Sequence, residues 1–469
     1  MGVRIGTGQG TAGDSPSGID HLLGAGVDYL CFESLAELVM GRLTEARAQD
    51  PEAGYAPDIG QYLRKALPAV AEGRVKIVSN AGGLNPAGAA RLTARIAREL
   101  GLSGIRIATV TGDDLYPRLN ALRAAGADLR NMDTGDGFET FPSPPLFASA
   151  YLGAQPVVEG LARGANVVLT GRVTDATIFM APLIHEFGWS FADSDLLAAG
   201  VLIGHLLECS GQVAGGNYSG PDWFATPDPW NVPFPIAEVE ADGSAILTKP
   251  DTCGGRVSFD TVRRQLLYEV ADPARYMNPD VVADFTSARV DDLGDNRVRV
   301  SEVRGAPAPD SYKVLLGYDT GWGGEIRVAL NFPHAWEKAR AAAAIFKKRV
   351  LDAGHEVLEW RVEYIGLDAL GGPTVPNPQV PPQELLLRVA FRCPDEATAL
   401  AVRAELTPIY LSAPAAGVGV IHSLTGQGRQ PSALHALWPT RVPKALIDPD
   451  VVVTLGDAAN GQWQEEETV

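Results

Sequence analysis

The first half of the chain alternates short apolar runs with amphipathic helical patterns. The apolar runs VRIGTG, DYLCFE, RVKIVSN, IRIATVTG and NVVLTG are each the length of one strand, and helical periodicity follows most of them, as in IDHLLGAG and PAGAARLTARIAREL. Strands that alternate with helices predict a mostly parallel sheet covered on both faces. Because ligands bind at the carboxyl ends of parallel strands, we expect the loops after these strands to share one functional edge. These loops lie around Gly10, Gly82, Gly112 and Gly171.

The pattern changes after about residue 220. The stretch PDWFATPDPWNVPFP is too rich in proline and aromatic residues for a helix and indicates a domain boundary or a structured crossover. Residues from Ile236 to about Tyr318 are rich in strand patterns, and IAEVEADGSAILT predicts a hairpin around Asp242 and Gly243. We therefore divide the chain into an α/β domain that holds the active site (1–225), a strand-rich connecting region (226–320) and a last module (321–469).

Two strand–helix–strand patterns follow one another in the last module. The first is GEIRVALNF, a helix over PHAWEKARAAAAIFKKRVLDAG, and EVLEWRVEYIGL; the second is ELLLRVAFRC, a helix over PDEATALAVRAELTPIYL, and GVGVIHSLTG. Two such units in series predict a ferredoxin-like βαββαβ α+β sandwich with a C-terminal tail. The proline-rich stretch LDALGGPTVPNPQVPPQELL between them is either an ordered connector or a segment that serves as an interaction site or a lid.

Composition and charge narrow the class of protein. With 46% apolar residues in 469, the chain can build sizeable cores, and 57 acidic against 39 basic residues give a formal charge of −18. This charge repels nucleic acid and anionic membranes, but a local arginine or backbone N–H groups still allow an anionic substrate such as a coenzyme A thioester. The four cysteines form no C-x-x-C pair, and neither a signal peptide nor a long apolar span is present, so we expect a cytoplasmic protein.

The first glycine-rich loop, GQGTAG at residues 8–13, matches G-x-G-x-x-G directly after a strand. Glu33 stands where the ribose-binding acid of a dinucleotide site would be. Ser15 and Pro16 look like a helix cap and first helical residue, however, so the helix begins too late to hold a pyrophosphate. Asp14 adds a carboxylate that disfavours a phosphate. A nicotinamide site, contact with another ligand and a tight structural turn all remain open.

Three further loops carry candidate residues. In NAGGLNP, the adjacent Gly82 and Gly83 let the backbone approach a ligand, or they form a turn before a helix capped by Asn85. In TGDD, Asp113 and its neighbour are an acid–base pair, cation ligands or helix caps. In TGRVTD, Arg172 binds an anion and Asp175 acts as a base, or the two residues form a structural ion pair.

The segment HLLECSGQVAGGN places an imidazole and a carboxylate on one helical face. His205 and Glu208 are three residues apart and can touch, as an acid–base pair or as a satisfied structural histidine. One His and one Glu are too few for a metal site, and we expect neither metal nor cofactor. The glycine turn that follows can present backbone N–H donors to an oxyanion. The sequence lacks the G-x-S-x-G elbow, the Walker A motif and the kinase signature set.

Several long motifs together resemble the acyclic terpene utilisation protein A family. They include IGTGQGTAGDS, DYLCFESLAEL, VSNAGGLNP, LTGRVTDA and GHLLECSGQVAGGNY, and the likeness covers nearly the whole chain. The resemblance implies a component of bacterial acyl-CoA catabolism that works alongside biotin-dependent carboxylases and enoyl-CoA hydratases. Longer relatives carry a small domain with an R-S-G-D-K-G motif, which this chain lacks at its end. The resemblance therefore implies that a separate small protein supplies that part.

These observations favour an enzyme that acts on an acyl-CoA or related carboxylic substrate by acid–base chemistry, most simply as a hydratase or another lyase. The predicted catalytic residues are His205 as base, Glu208 as its orienting partner, Asp175 and Asp113. The predicted substrate-binding residues are Gly8, Gln9, Gly10, Asp14, Glu33, Asn80, Gly82, Gly83, Arg172, Gly215, Gly216 and Asn217. The alternatives are a non-catalytic subunit or scaffold of an acyl-CoA-processing assembly and a nicotinamide-dependent oxidoreductase. We expect a homo-oligomer that binds neither nucleic acid nor membranes.

Overall fold

The structure is a computed structural model that describes residues 2–231, 233–372, 382–409, 430–459 and 463–464. Two compact units make up the fold. The first unit comprises Met1–Gly317 and Leu437–Val469, and the second unit comprises Tyr318–Ala436. None of the helices in the described ranges combines the length and apolar content needed to cross a lipid bilayer.

Among the described residues, an 11-stranded sheet forms the centre of the first unit. Its strands are β1 (Val3–Gln9), β2 (Tyr29–Phe32), β3 (Lys76–Ser79), β4 (Arg106–Thr111), β6 (Val167–Thr170), β7 (Ile236–Val239), β8 (Ala245–Thr248), β11 (Arg289–Asp292), β12 (Val298–Ser301), β18 (Val452–Asp457) and β19 (Trp463–Gln464). The order across the sheet is β11-β12-β8-β7-β1-β2-β3-β6-β4-β18-β19. The remaining strands of this unit are β5 (Pro145–Ala150), β9 (Tyr276–Asn278), β10 (Val281–Asp284) and β13 (Arg304–Ala306), with the first part of β14 (Ser311–Asn331) and the last part of β17 (Ser432–Pro443).

The five central strands, β1, β2, β3, β6 and β4, run parallel, as the alternating pattern predicts. Strands β2 and β6 are buried along their whole length, which explains their unbroken apolar sequences. The sheet as a whole is mixed, because β7 pairs antiparallel with β1 and β18 pairs antiparallel with β4. The prediction of a mostly parallel sheet is therefore correct for the centre and wrong for the flanks.

Helices cover both faces of the parallel strands, as predicted. The helices of this unit are α1 (Gly18–Ala25), α2 (Glu37–Gln49), α3 (Ile59–Ala71), α4 (Pro86–Glu99), α5 (Leu119–Ala124), α6 (Gln155–Ala162), α7 (Thr177–Phe187), α8 (Ser194–Glu208) and α9 (Phe259–Leu266). Leu30 of β2 joins the core that α1, α3 and α4 form on one face. The next residue, Cys31, points to the other face, where its thiol meets the carbonyl oxygen of Ile178 in α7.

The predicted hairpin around Gly243 is confirmed. Strands β7 and β8 pair antiparallel, with Val239 opposite Ala245. Gly243 has a φ of 81°, and its N–H donates to the carbonyl of Glu240 at 3.0 Å. A residue with a side chain would be strained in this left-handed conformation, so glycine suits the turn.

The second unit contains α10 (Ala335–Asp352), α11 (Glu396–Ala404), β15 (Glu359–Ile365), β16 (Glu384–Cys393), most of β14 and the start of β17. Strands β15 and β14 both pair antiparallel with β16, and the order is β15-β16-β14-β17. Both helices pack on one face of β16, since alternate residues from Leu385 to Cys393 share a core with them. The predicted last strand, GVGVIHSLTG, and residues 373–381 of the proline-rich stretch lie outside the described residues.

Candidate functional site

The predicted gathering of four glycine loops at one edge is confirmed. Strands β1, β3, β4 and β6 run parallel in one sheet, and each loop follows the carboxyl end of its strand. The loops also touch. A Cβ atom built on Gly82 would lie 2.4 Å from the carbonyl oxygen of Thr170, and one on Gly171 would lie 2.2 Å from Oδ1 of Asp113. These two glycines therefore allow neighbouring loops to pack closely.

A cavity of about 650 Å³, which we call the acidic cavity, opens at this edge. Its walls come from the loop after β1, the link between β2 and α2, the loop after β6 and the turn after α8. Six carboxylate residues line it: Asp14, Glu33, Glu37, Asp175, Glu208 and Glu269. Among the described residues that line the cavity there is no lysine or arginine. Its surface therefore favours neutral or positively charged groups over phosphates.

Arg172 lies directly behind this cavity and is only 2% exposed. Its Nη2 is 3.2 Å from Oδ1 of Asp175, and its Nη1 is 3.9 Å from Oε1 of Glu33 and donates to the carbonyl of Leu35. The guanidinium also stacks over the ring of Tyr151, 4.2 Å from its centre. Arg172 therefore acts as the internal counter-ion of two carboxylates, and it does not line the cavity.

The two carboxylates beside Arg172 are both shifted toward their neutral forms. Burial raises the pKa of Asp175 well above its usual value, Arg172 opposes the shift, and the nearby carboxylates reinforce it. Burial likewise raises the pKa of Glu33, whose Oε1 accepts hydrogen bonds of 2.8 Å from the N–H of Leu35 and from Nδ2 of Asn80. Two carboxylates share one cation here, an arrangement that favours the neutral form of one of them.

The predicted contact between His205 and Glu208 is confirmed, with Nδ1 and Oε1 2.8 Å apart. The other ring nitrogen, Nε2, is 2.9 Å from the carbonyl oxygen of Gln265. Burial alone would lower the pKa of His205, but the charge and hydrogen bond of Glu208 and this carbonyl raise it. The imidazole is 1% exposed and does not line the acidic cavity, whereas Glu208 does. The side chain that can reach a ligand is therefore the glutamate.

The glycine-rich loop after β1 binds carboxylates of its own chain. The N–H of Gly10 donates to Oδ2 of Asp14 at 3.2 Å, and the N–H of Gly13 donates to Oδ2 of Asp58 at 2.6 Å. Gln9 donates to Asp58 at 3.0 Å. These contacts occupy N–H groups that a pyrophosphate would need in a dinucleotide site.

Asp113 lies beneath the Gly171 turn and does not line the cavity. It is 3% exposed, and its Oδ2 accepts a hydrogen bond of 2.6 Å from the backbone N–H of Arg172. Burial is the main reason that its pKa rises to about 7. Asp113 thus holds the turn that carries Arg172.

The turn after α8 uses its backbone N–H groups internally. Gly215 donates to the carbonyl of Gln212 at 3.2 Å, and Gly216 donates to that of Gly211 at 2.8 Å. The Asn217 side chain donates to Oε1 of Gln212 at 3.2 Å. The predicted role of Gly215 and Gly216 as N–H donors to an oxyanion would therefore require these internal bonds to be displaced.

The cavity thus brings together only part of the predicted site. The predicted residues that line it are Gly10, Asp14, Glu33, Asp175, Glu208, Gly216 and Asn217. Those placed behind its wall or in the surrounding loops are Gly8, Gln9, Asn80, Gly82, Gly83, Asp113, Arg172, His205 and Gly215. Gly8 packs against Phe32, since a Cβ atom there would lie 2.2 Å from that ring.

Sequence reasoning missed two partners of the site. Glu37 lines the cavity at the start of α2 and accepts a hydrogen bond of 2.9 Å from the Tyr151 hydroxyl. Partial burial opposes its ionisation, but the charge of Arg172 and the other donors lower the pKa of Glu37. Gln265 fixes His205 from 60 residues further along the chain. The DYLCFESLAEL motif contains Glu37, whereas no local pattern marks Gln265.

Two other chemistries find little support in this geometry. Burial is the main reason that the pKa of Cys209, which lines the cavity, rises to about 12, so its reactive thiolate is disfavoured. Within the described ranges, no three His, Cys, Asp or Glu side chains are arranged to hold a metal ion. The carboxylates Asp175 and Glu208, which contact Arg172 and His205, are the other titratable groups that line the cavity beside these partners.

Parallel strands flanked by helices, with an acid-lined cavity at their carboxyl ends, define a mixed α/β protein; in open sheets of this kind the strand ends are the usual position of a ligand site. A family model described as acyclic terpene utilisation family protein AtuA matches residues 3–453. The chain therefore belongs to the AtuA family, as the resemblance indicated. Comparisons with curated proteins and with solved structures gave no match.

Proposed function

We propose that the chain is an acid–base enzyme whose acidic cavity takes the acyl end of a thioester or related carboxylic substrate. The observation that carries the proposal is the contrast between two carboxylates in one cavity. Asp175 lies 3.2 Å from Arg172 and is shifted toward its neutral form, whereas Glu208 lies 2.8 Å from Nδ1 of His205. Carboxylates that have different partners in one cavity can take different acid and base roles.

The simplest reaction of this type is hydration of an unsaturated acyl thioester. Glu208 takes a proton from water while the water oxygen bonds to the carbon two positions from the thioester carbonyl. The carbon–carbon π bond breaks, and Asp175 gives its proton to the adjacent carbon. Glu208 then holds the extra proton and Asp175 is ionised, and exchange with solvent restores both. The reverse sequence is the corresponding lyase reaction.

The sequence predicted His205 as the base and Glu208 as the residue that orients it, and this proposal reverses those two roles. His205 faces acceptors with both ring nitrogens, so its doubly protonated form satisfies both contacts. Because Glu208 lines the cavity, we assign the proton transfer to Glu208 and a positioning role to His205. Arg172 keeps Asp175 and Glu33 in place and is not assigned to a substrate anion.

The nicotinamide alternative is less well supported. The loop N–H groups of Gly10 and Gly13 donate to Asp14 and Asp58, and Asp14 faces the acidic cavity. A pyrophosphate in this position would meet carboxylates and would have to displace these bonds.

A thioester panel tests the proposal. Purified protein is incubated with saturated and unsaturated acyl thioesters, and products are followed by mass spectrometry. We expect one unsaturated class to gain one water, and Glu208→Gln and Asp175→Asn each to lower kcat by about 10²-fold or more. The control is Glu159→Gln, whose partner is Arg163 outside the cavity. A panel in which every thioester is unchanged would favour the non-catalytic subunit or scaffold instead.

We also propose the ferredoxin-like fold for the second unit. The order β15-β16-β14 places the second, third and first strands of the predicted sandwich side by side, with both helices on one face. This order is the one that such a sandwich requires.

A further inference from the structure

A second concave surface lies beside the acidic cavity and has the opposite charge. It consists of a groove of about 490 Å³ between α2, α3 and α4 and an adjoining groove of about 480 Å³ between α4 and the link from α2 to α3. Both grooves share Tyr55, Leu92 and Arg95. Five arginines line the surface, which we call the arginine groove: Arg42, Arg64, Arg91, Arg95 and Arg98.

The arginine groove keeps excess positive charge. Arg64 and Arg95 share one carboxylate, Glu99, at 2.5 and 3.9 Å, and Arg91 pairs with Glu52 at 2.8 Å. Arg91, Arg95 and Arg98 recur at intervals of four and three residues and therefore form a stripe along one side of α4. This surface is therefore locally positive, although the chain as a whole has a formal charge of −18.

The floor of the groove is apolar and has room for a planar or aliphatic group. Leu43, Leu92 and Ile96 line it beside Tyr55. Gly60 leaves part of this space open, because a Cβ atom built there would lie 3.6 Å from Leu92 and 3.7 Å from Ile96. An apolar floor with a guanidinium rim suits a ligand that joins a flat or apolar body to several anionic groups.

Two shared elements connect the groove to the acidic cavity. In the loop after β1, Thr11 and Asp14 line the cavity and Ala12 lines the groove. In α2, Glu37 lines the cavity, whereas Arg42 and Ala46 line the groove. At 1.5 Å per helical residue, Arg42 is roughly 8 Å and Ala46 roughly 14 Å from Glu37 along α2. One ligand with a flexible arm of about this length can occupy both.

We propose that the arginine groove binds the phosphate groups and the purine ring of a phosphorylated carrier whose thioester end reaches the acidic cavity. This inference rests on the proposed function for the reactive end. The arginine groove supplies the phosphate contacts that such a carrier needs, because the acidic cavity itself repels phosphates. Guanidinium groups bind phosphates through paired N–H donors, and the groove supplies several within one surface.

Binding of free coenzyme A, which has the phosphates and the ring but no acyl group, tests the groove by itself. Calorimetric titration should show binding that weakens as salt rises, since the contacts are ionic. The Arg42→Ala/Arg95→Ala double variant should weaken binding by about tenfold or more. Gly60→Leu should weaken it comparably by filling the groove without changing charge. The control is Arg74→Ala, which removes an arginine paired with Glu72 at 2.6 Å and not lining the groove.

Different experimental results would show that the groove assignment fails and that the proposed function fails. If coenzyme A does not bind, if the groove variants bind it like the wild type, or if a fatty acid without phosphates competes equally well, the groove assignment is overturned. Glu208→Gln should leave coenzyme A binding unchanged. If the groove variants lose binding while Glu208→Gln turns over thioesters normally, the inference stands and the proposed acid–base role fails. Thermal melts of each variant verify the fold.

Discussion

At the scale of single residues, Arg172 determines how the carboxylates of the site are arranged. It is buried, contacts Asp175 and Glu33, and stacks on Tyr151. The motif TGRVTD predicted a cation and a carboxylate beyond a strand, and left open whether they pair. They do pair, and the reason could not be read locally, because Glu33 follows β2 and Tyr151 follows β5, far from Arg172 in sequence.

Replacing Arg172 should destabilise the protein strongly. Arg172→Met removes the cation and leaves the buried Glu33 and the cavity-lining Asp175 without a counter-charge, and breaking a buried pair in this way typically costs about 3–5 kcal/mol of unfolding free energy. Urea unfolding measures this difference, with Arg74→Met as an exposed control. A loss below about 1 kcal/mol would show that the guanidinium is not the counter-ion that holds the site together.

The two members of the His205 pair should behave differently in kinetics. Glu208→Gln removes the group that reaches the cavity and should lower kcat by about 10²-fold or more. His205→Gln should lower kcat less and should remove from the pH–rate profile the limb that follows ionisation of His205, whose pKa is raised, because glutamine does not titrate. Initial rates between pH 5 and 9 measure both effects. An unmoved profile in His205→Gln would remove the positioning role.

Asp113 should make stability depend on pH in an unusual direction. Its folded pKa of about 7 lies above its ordinary value of 3.8, so the folded state binds the extra proton. Its contribution to stability is therefore present at low pH and is lost as pH rises from about 4 to about 7. Asp113→Asn keeps an acceptor for the N–H of Arg172 but does not titrate. Unfolding free energies of both proteins should diverge across this window, and parallel curves would contradict the assignment.

At the scale of elements, local periodicity predicted the strands and helices of the first half well. Strands β1 to β4 and β6, with α1 and α4, lie where apolar runs and helical patterns placed them. The antiparallel flanks were not predictable, because β7 and β18 join the sheet through contacts far apart in sequence. Sequence spacing likewise predicted the contact between His205 and Glu208. It could not predict the contact between His205 and the carbonyl of Gln265, which directs the imidazole away from the cavity.

Gly171 tests how closely the loops at the strand ends are packed. Gly171→Ala would place a methyl group 2.2 Å from Oδ1 of Asp113, so the carboxylate that holds Arg172 must move. We expect a loss of about 1–3 kcal/mol in unfolding free energy. The matched control is Gly24→Ala in α1, where a Cβ atom meets nothing within 4 Å and alanine favours the helix. Equal stability of the two variants would show that the loops can separate without cost.

At the scale of the whole molecule, the distribution of charge is more informative than its sum. A formal charge of −18 argues against nucleic acid and anionic membranes, but it conceals an acidic cavity and an arginine groove that share α2 and the loop after β1. Composition could not predict this separation, since it arises when α2, α3 and α4 pack side by side. Membership of the AtuA family is consistent with the proposal.

Deuterium incorporation during turnover tests the central claim, that carboxylates of the acidic cavity move protons on an acyl thioester. The substrate identified by the thioester panel is converted in D₂O, and the carbon adjacent to the thioester carbonyl is examined by NMR. The account predicts that the wild type introduces one deuteron at that carbon, at a rate that falls by about 10²-fold in Glu208→Gln and Asp175→Asn. Product formed without deuterium at that carbon, or formed equally fast by both variants, would contradict it.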